Sequence, residues 1–159
     1  MDQGIDGNKC KVYKSVGICR VTEHLYPQAL EFFTGQVKIL SSFGSEELMM
    51  PTPQSKDIIF AAMDGNNLAG LVFIRDTESA VIIMEPAYYG GGAFLRLLLA
   101  MDEYLKGSRT SYELIMPGLP IYRRLAKASG CFNARPVKDT ISTTRSINLT
   151  KYNKSVSFS

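Results

Sequence analysis

Histidine is almost absent from this chain of 159 residues, in which His24 stands alone. A His-rich metal site is excluded, and any Ser-His or Cys-His scheme would have to run through that one residue, with no G-x-S-x-G elbow to accompany it. Cysteine is scarce too. Cys10, Cys19 and Cys131 are odd in number, so they cannot all pair within the chain, and none stands in the C-x-x-C spacing that holds zinc; they read as reduced structural thiols. Long apolar runs are missing. Runs such as residues 80–84 and 97–101 fall far short of the ~20 residues that a membrane span requires. Residues 1–14 carry Asp, Gly, Asn and Lys in place of a basic region followed by an apolar run, so they do not read as a secretion signal. The expected location is a cytoplasm, or a particle assembled there.

What is present is enough for a core. At 45% hydrophobic residues the chain needs neither disulfide nor metal, and one domain over residues 1–159 is expected, its core at about 16–150. Charge is divided unevenly. Residues 1–104 hold eight Lys/Arg against thirteen Asp/Glu, whereas residues 105–159 hold ten against two. The basic C-terminal third suits an anionic partner, whether a phosphorylated cofactor, nucleic acid or an acidic protein surface, or it is a solvated face with no dedicated ligand. No RNA-recognition aromatic motif, zinc finger or helix-turn-helix pattern points to nucleic acid.

Apolar spacing orders the elements. Residues 16–21 suit a first strand, after which Thr22 is placed to cap a helix. Leu30, Phe33, Val37 and Leu40 recur at helical spacing over residues 26–40, with Pro27 tolerated in the first turn. Ser45 is expected to cap a short turn with Glu46 and Glu47. Residues 58–63 and 68–75 form a hairpin about Asp64-Gly65-Asn66-Asn67, and residues 80–84 are a third meander strand buried on both faces. Phe94, Leu97, Leu98, Met101 and Leu105 make one stripe of a helix over residues 93–106. Residues 112–116 read as a buried strand, reached through that helix and so parallel to the preceding one. A short helix through Ala128 stops at Gly130, and residues 131–135 and 140–150 close as two strands turning at Lys138-Asp139. The polar tail from Lys151 is expected to be loose.

Three glycines, Gly90, Gly91 and Gly92, stand between the third meander strand and the long helix. Bare backbone N–H groups at the positive end of a helix dipole suit a phosphate, although glycines in such a place also serve simply to make a tight turn.

This order of elements, a mixed and mostly antiparallel α/β (α+β) sheet flanked by helices, resembles the Gcn5-related N-acetyltransferase (GNAT) fold over roughly residues 16–150. Pro86, Tyr88, Gly90 and Gly92 match that family's Pro-x-Tyr-(Arg or Gln)-Gly-x-Gly-x-(Gly or Ala) turn. Tyr89 and Phe94 depart from it. The resemblance implies acetyl-CoA as cosubstrate, its pantetheine arm between splayed fourth and fifth strands. Its contacts would come from Met84, Tyr89, Gly90, Gly91, Gly92, Ala93 and Arg123, with Arg96, Arg124 and Lys127 adding charge toward the phosphates. It further implies a general base, for which Glu85 is the first candidate and Glu78 the second, and a tyrosine acid on the last helix. Ala126 occupies that tyrosine's position. Tyr122, one turn earlier on the same face, is the substitute, or an ordinary interface tyrosine. Two functions therefore stay open: an acyl-CoA N-acyltransferase acting on an amine, and a degenerate GNAT-like binding or structural protein resembling internal virion proteins of tailed bacteriophages.

Overall fold

The structure, a computed structural model, describes residues 16–42, 49–76 and 78–147. Their elements in chain order are β1 (Gly17–Arg20), α1 (Tyr26–Ser41), β2 (Ile58–Asp64), β3 (Asn67–Ile74), β4 (Ala80–Met84), a 3-10 turn (Pro86–Tyr88), α2 (Ala93–Leu105), β5 (Ser111–Pro117), α3 (Pro120–Ala128), β6 (Phe132–Val137) and β7 (Thr140–Ser146). The strands make one seven-stranded sheet in the order β1-β2-β3-β4-β5-β7-β6. Every junction is antiparallel except β4–β5. That mixed sheet is the expected architecture.

Strand alternation divides the core into two layers. Val72, Ile74, Ile82, Met84, Leu114 and Met116 turn to the side of α2 and α3. Leu71, Phe73, Val81 and Ile83 turn to the side of α1. β4 is thus buried on both faces, as its unbroken apolar run predicts. The α2 stripe of Phe94, Leu97, Leu98, Met101 and Leu105 is wholly buried.

Several expectations shift. The inward face of α1 is Ala29, Phe33, Gln36 and Leu40, with Leu30 and Val37 only half-buried. Phe33 sets that phase by meeting Phe73 edge-on, ring centres 5.6 Å apart. Thr22 does not cap the helix with its side chain. Leu25 is the N-cap, and the Thr22 C=O accepts the N–H of Leu25 and of Tyr26. β5 alternates, because its second face presents Ser111 and Glu113 to solvent. The two closing strands end at Val137 and Ser146, and the first strand is shorter than expected by a residue at each end. The Ser45 turn, residues 148–150 and the tail from Lys151 lie outside the described residues.

One buried network ties α2, α3, β5 and β7 together. The Asp102 carboxylate accepts bonds from Arg145 Nη2 at 2.7 Å, Arg145 Nε at 3.0 Å and the Tyr112 hydroxyl at 2.6 Å. Arg145 Nη1 also donates to the Ser129 C=O at the end of α3. Gly130 makes that approach: at φ +89° it ends α3 in the left-handed region, and a Cβ there would sit 3.4 Å from Arg145 Nη1. Burial, and then the Asp102 charge, push the Tyr112 phenol far above its ordinary pKa, so it remains a donor.

Candidate functional site

β4 and β5 are hydrogen-bonded neighbours only where the beginning of β4 meets the middle of β5, Ala80 facing Leu114 and Val81 facing Ile115. Beyond that point no ladder joins them, and the strands part toward Met84 and Pro117. Met84 stands opposite Gly70 of β3, but the next residue, Glu85, is the one whose N–H donates to the Ala69 C=O of β3, at 2.9 Å. By the alternation of an antiparallel ladder, the Met84 N–H and C=O therefore point the other way, into the gap.

A side chain meets them there. The Met84 N–H donates to the Tyr122 hydroxyl at 2.8 Å, and that hydroxyl donates to the Met84 C=O at 3.2 Å. Tyr122 and Met84 are both 0% exposed, and Phe94 is 1% exposed. The Tyr122 ring is held edge-on by Tyr89, centres 5.5 Å apart, and by Phe94 at 6.4 Å. Burial pushes the Tyr122 phenol well above its ordinary pKa, with Tyr89 adding to the rise and the Met84 bond opposing it. Burial raises Tyr89 as well.

Below the gap, Glu85 caps the 3-10 turn by accepting the Ala87 N–H at 2.8 Å through Oε2. The Tyr88 hydroxyl donates to Asp64 at 2.6 Å, fastening this turn to the β2–β3 hairpin. That bond first, then burial, lifts the Tyr88 phenol to about 12. Gly92 is the N-cap of α2 at φ +80°, a conformation that suits glycine, and a Cβ there would meet nothing within 4 Å. Its C=O accepts the Arg96 N–H at 3.1 Å, so the N–H groups of Ala93, Phe94 and Leu95 fall in the first turn, ahead of the helix's own ladder.

The fold thus gathers Met84, Glu85, Tyr89, Gly90, Gly91, Gly92, Ala93 and Tyr122 about the parted end of one strand junction. Arg123 follows Tyr122 in α3 and is exposed, as are Arg124 and Lys127, while Arg96 is half-exposed on α2. Glu78 lies before Ala80, at the opposite end of β4. Ala126 is buried one turn after Tyr122. Sequence reasoning missed that the Tyr122 hydroxyl pairs with the chain's own β4 backbone. The signal was its spacing, since a residue four before a buried Ala126 on the same helix face is carried inward with it.

No protein-family model matches this chain, and no curated protein does. Solved structures do match. A GCN5-related N-acetyltransferase from Rhodopseudomonas palustris aligns with TM-score 0.60 and 11% identity, over 87% of this chain and 99% of that one. The protein yncA of Salmonella typhimurium, solved with its cofactor acetyl-CoA, aligns with TM-score 0.61 and 11% identity, over 85% and 95%. The ribosomal-protein-S18-alanine N-acetyltransferase of Escherichia coli aligns with TM-score 0.55 and 16% identity, over 84% and 94%. At such identities the likeness is one of architecture: this chain has the fold of the GCN5-related N-acetyltransferases.

Proposed function

We propose that the chain is an N-acyltransferase of the GNAT kind, moving an acetyl group from acetyl-CoA to an amine by direct attack. The observation that carries this reading is the Met84 backbone, whose N–H and C=O at the parted edge of a parallel pair meet a side-chain hydroxyl where a neighbouring strand would otherwise be. Acetyl-CoA supplies the acyl carbon, activated as a thioester. Bare backbone at Gly90, Gly91 and Gly92, with Ala93 opening the helix, suits its pyrophosphate, with Tyr89 in the same turn and the exposed Arg123 of α3 as a source of positive charge. The fit at the gap requires Tyr122 to leave its seat.

Each residue then has a chemical task. The Met84 N–H polarises the acyl carbonyl. Glu85, half-buried at the strand end with Oε2 engaged by Ala87, takes a proton from the substrate ammonium, freeing the amine lone pair to attack the acyl carbon. Tyr122 protonates the leaving thiolate. In its buried seat burial holds that phenol above its ordinary value, so the proton is present to be given.

A second reading, a degenerate binding or structural module such as a virion-associated protein, is favoured by Ala126 at the position of the family's acid and by the depth of Tyr122. Its partner would be a protein or other anionic surface facing the basic C-terminal third. Titration calorimetry with acetyl-CoA, joined to thiol release in the presence of amine acceptors, separates the two. A ligand at about 100 times its Kd stabilises by ~2.7 kcal/mol, a rise in Tm on the order of 5–10 °C at this chain length. Saturable binding with thiol release is expected. Neither heat nor release at millimolar acetyl-CoA would leave the module reading in its place.

A further inference from the structure

We infer that Tyr122 is an internal stopper: in the resting protein its hydroxyl occupies the position that an acyl carbonyl takes on β4, and a linear, amide-bearing acyl thioester is the ligand class that displaces it. The inference rests on the acyl-CoA reading above and adds a conformational step to it. One hydroxyl engages both the N–H and the C=O of Met84, and those are the two groups that β4 offers at the gap. A carbonyl seeking the same N–H cannot share it with Tyr122, so the two occupancies exclude one another.

The path out is also defined. Of the two rings against Tyr122, Phe94 is buried in the core and Tyr89 is half-exposed. Withdrawal of the Tyr122 ring therefore passes Tyr89, which stands at the glycine turn where the phosphates would lie. Tyr122 and Ala126 are the two fully buried residues of α3, and the helix's outer face carries Arg123, Arg124 and Lys127. Releasing Tyr122 removes the larger of the two fully buried side chains of α3, leaving Ala126 and the half-buried Ile121 and Leu125 against the core, and so loosens the helix. Ligand binding at the gap and the position of this basic helix are thereby coupled, because the bound form needs Tyr122 out and the resting form needs it in.

The stopper lowers apparent affinity by the fraction of molecules in which the gap is open. If that fraction is about one in ten or less, Tyr122→Ala should bind acetyl-CoA tenfold or more tightly than the wild type. Tyr122→Phe keeps the ring and loses the hydroxyl, so its gain should be smaller, about twofold to tenfold. Calorimetry with acetyl-CoA measures the affinities, and S-acetylpantetheine, which lacks the nucleotide phosphates, isolates the gap from the glycine turn. Amide exchange supplies a readout apart from activity. The Met84 N–H should exchange faster in Tyr122→Phe than in the wild type, and acetyl-CoA should restore its protection while speeding exchange along α3. If Tyr122→Ala fails to fold, Tyr122→Phe and the α3 exchange carry the test. Equal affinity in all three proteins, with α3 exchange unchanged by ligand, overturns the stopper and leaves the acyl-CoA reading standing. Folded variants with a fast-exchanging Met84 amide that still bind neither ligand overturn the acyl-CoA reading itself.

Discussion

The two ends of the β4–β5 junction are held by different chemistry. At one end, ladder pairs join the beginning of β4 to the middle of β5, Ala80 to Leu114 and Val81 to Ile115, and β5 is itself tied to α2 and β7 by the buried charged network of Asp102, Arg145 and Tyr112. At the far end no ladder forms, and the edge of β4 is met by one hydroxyl from α3. Breaking the first would leave a buried charge without its counterpart, whereas breaking the second exposes one neutral peptide that a ligand can satisfy. A parallel pair locked at one end and stopped at the other can open at the stopped end without unravelling the sheet.

The locked end should therefore show the largest loss. Asp102→Asn leaves the 8% exposed Arg145 facing a neutral partner, and removing one member of a buried pair costs about 3–5 kcal/mol. Urea denaturation should register it as a lower midpoint with an unchanged slope. A loss under ~1 kcal/mol would mean that the network is solvated and that the ends do not differ in the way described.

Tyr122→Phe tests the other end, where one neutral hydrogen-bond partner is withdrawn from a buried peptide. The expected cost is about 1–3 kcal/mol by the same denaturation assay, and bound acetyl-CoA should offset it. A cost equal to that of Asp102→Asn would make Tyr122 a structural post and erase the contrast.

Much of this difference was visible in local patterns, and the rest arises only in three dimensions. Asp102 stands inside the apolar stripe of Leu98, Met101 and Leu105, and a charge at such a position announces a buried partner, although not that Arg145 lies 43 residues on. The hairpin about Gly65-Asn66 and the both-faces burial of β4 follow from turn chemistry and an unbroken apolar run. The phase of α1 does not, because a stripe containing Ala29 and Gln36 is set by where Phe33 meets Phe73 and not by hydrophobicity along the helix. The glycine turn of the candidate site was legible as bare backbone. The hydroxyl on Met84 was not, since it depends on the depth at which α3 seats against a strand 38 residues away in the chain.

The locked end has a second, solvent-facing clamp whose predicted effect is the smallest. The Glu113 carboxylate of β5 accepts the hydroxyl protons of Ser79, just before β4, and of Ser142 on β7, and Arg135 of β6 stands 4.0 Å away. The Ser142 bond first, and then Ser79, hold the Glu113 carboxyl below its ordinary pKa, against the opposing effect of burial. A depressed folded-state pKa means that the stabilisation is fully present above the unfolded carboxylate value of about 4.3 and is lost as the pH falls through the folded value. Because the Glu113 side chain is 43% exposed, Glu113→Gln should cost under ~1 kcal/mol at neutral pH. The stability gap between wild type and variant, followed by urea denaturation from pH 7 downward, should hold steady to about pH 5 and then close on further acidification. A gap that widens in acid would show that the carboxylate is a burden on this end of the junction, and that the ladder and the Asp102 network hold it alone.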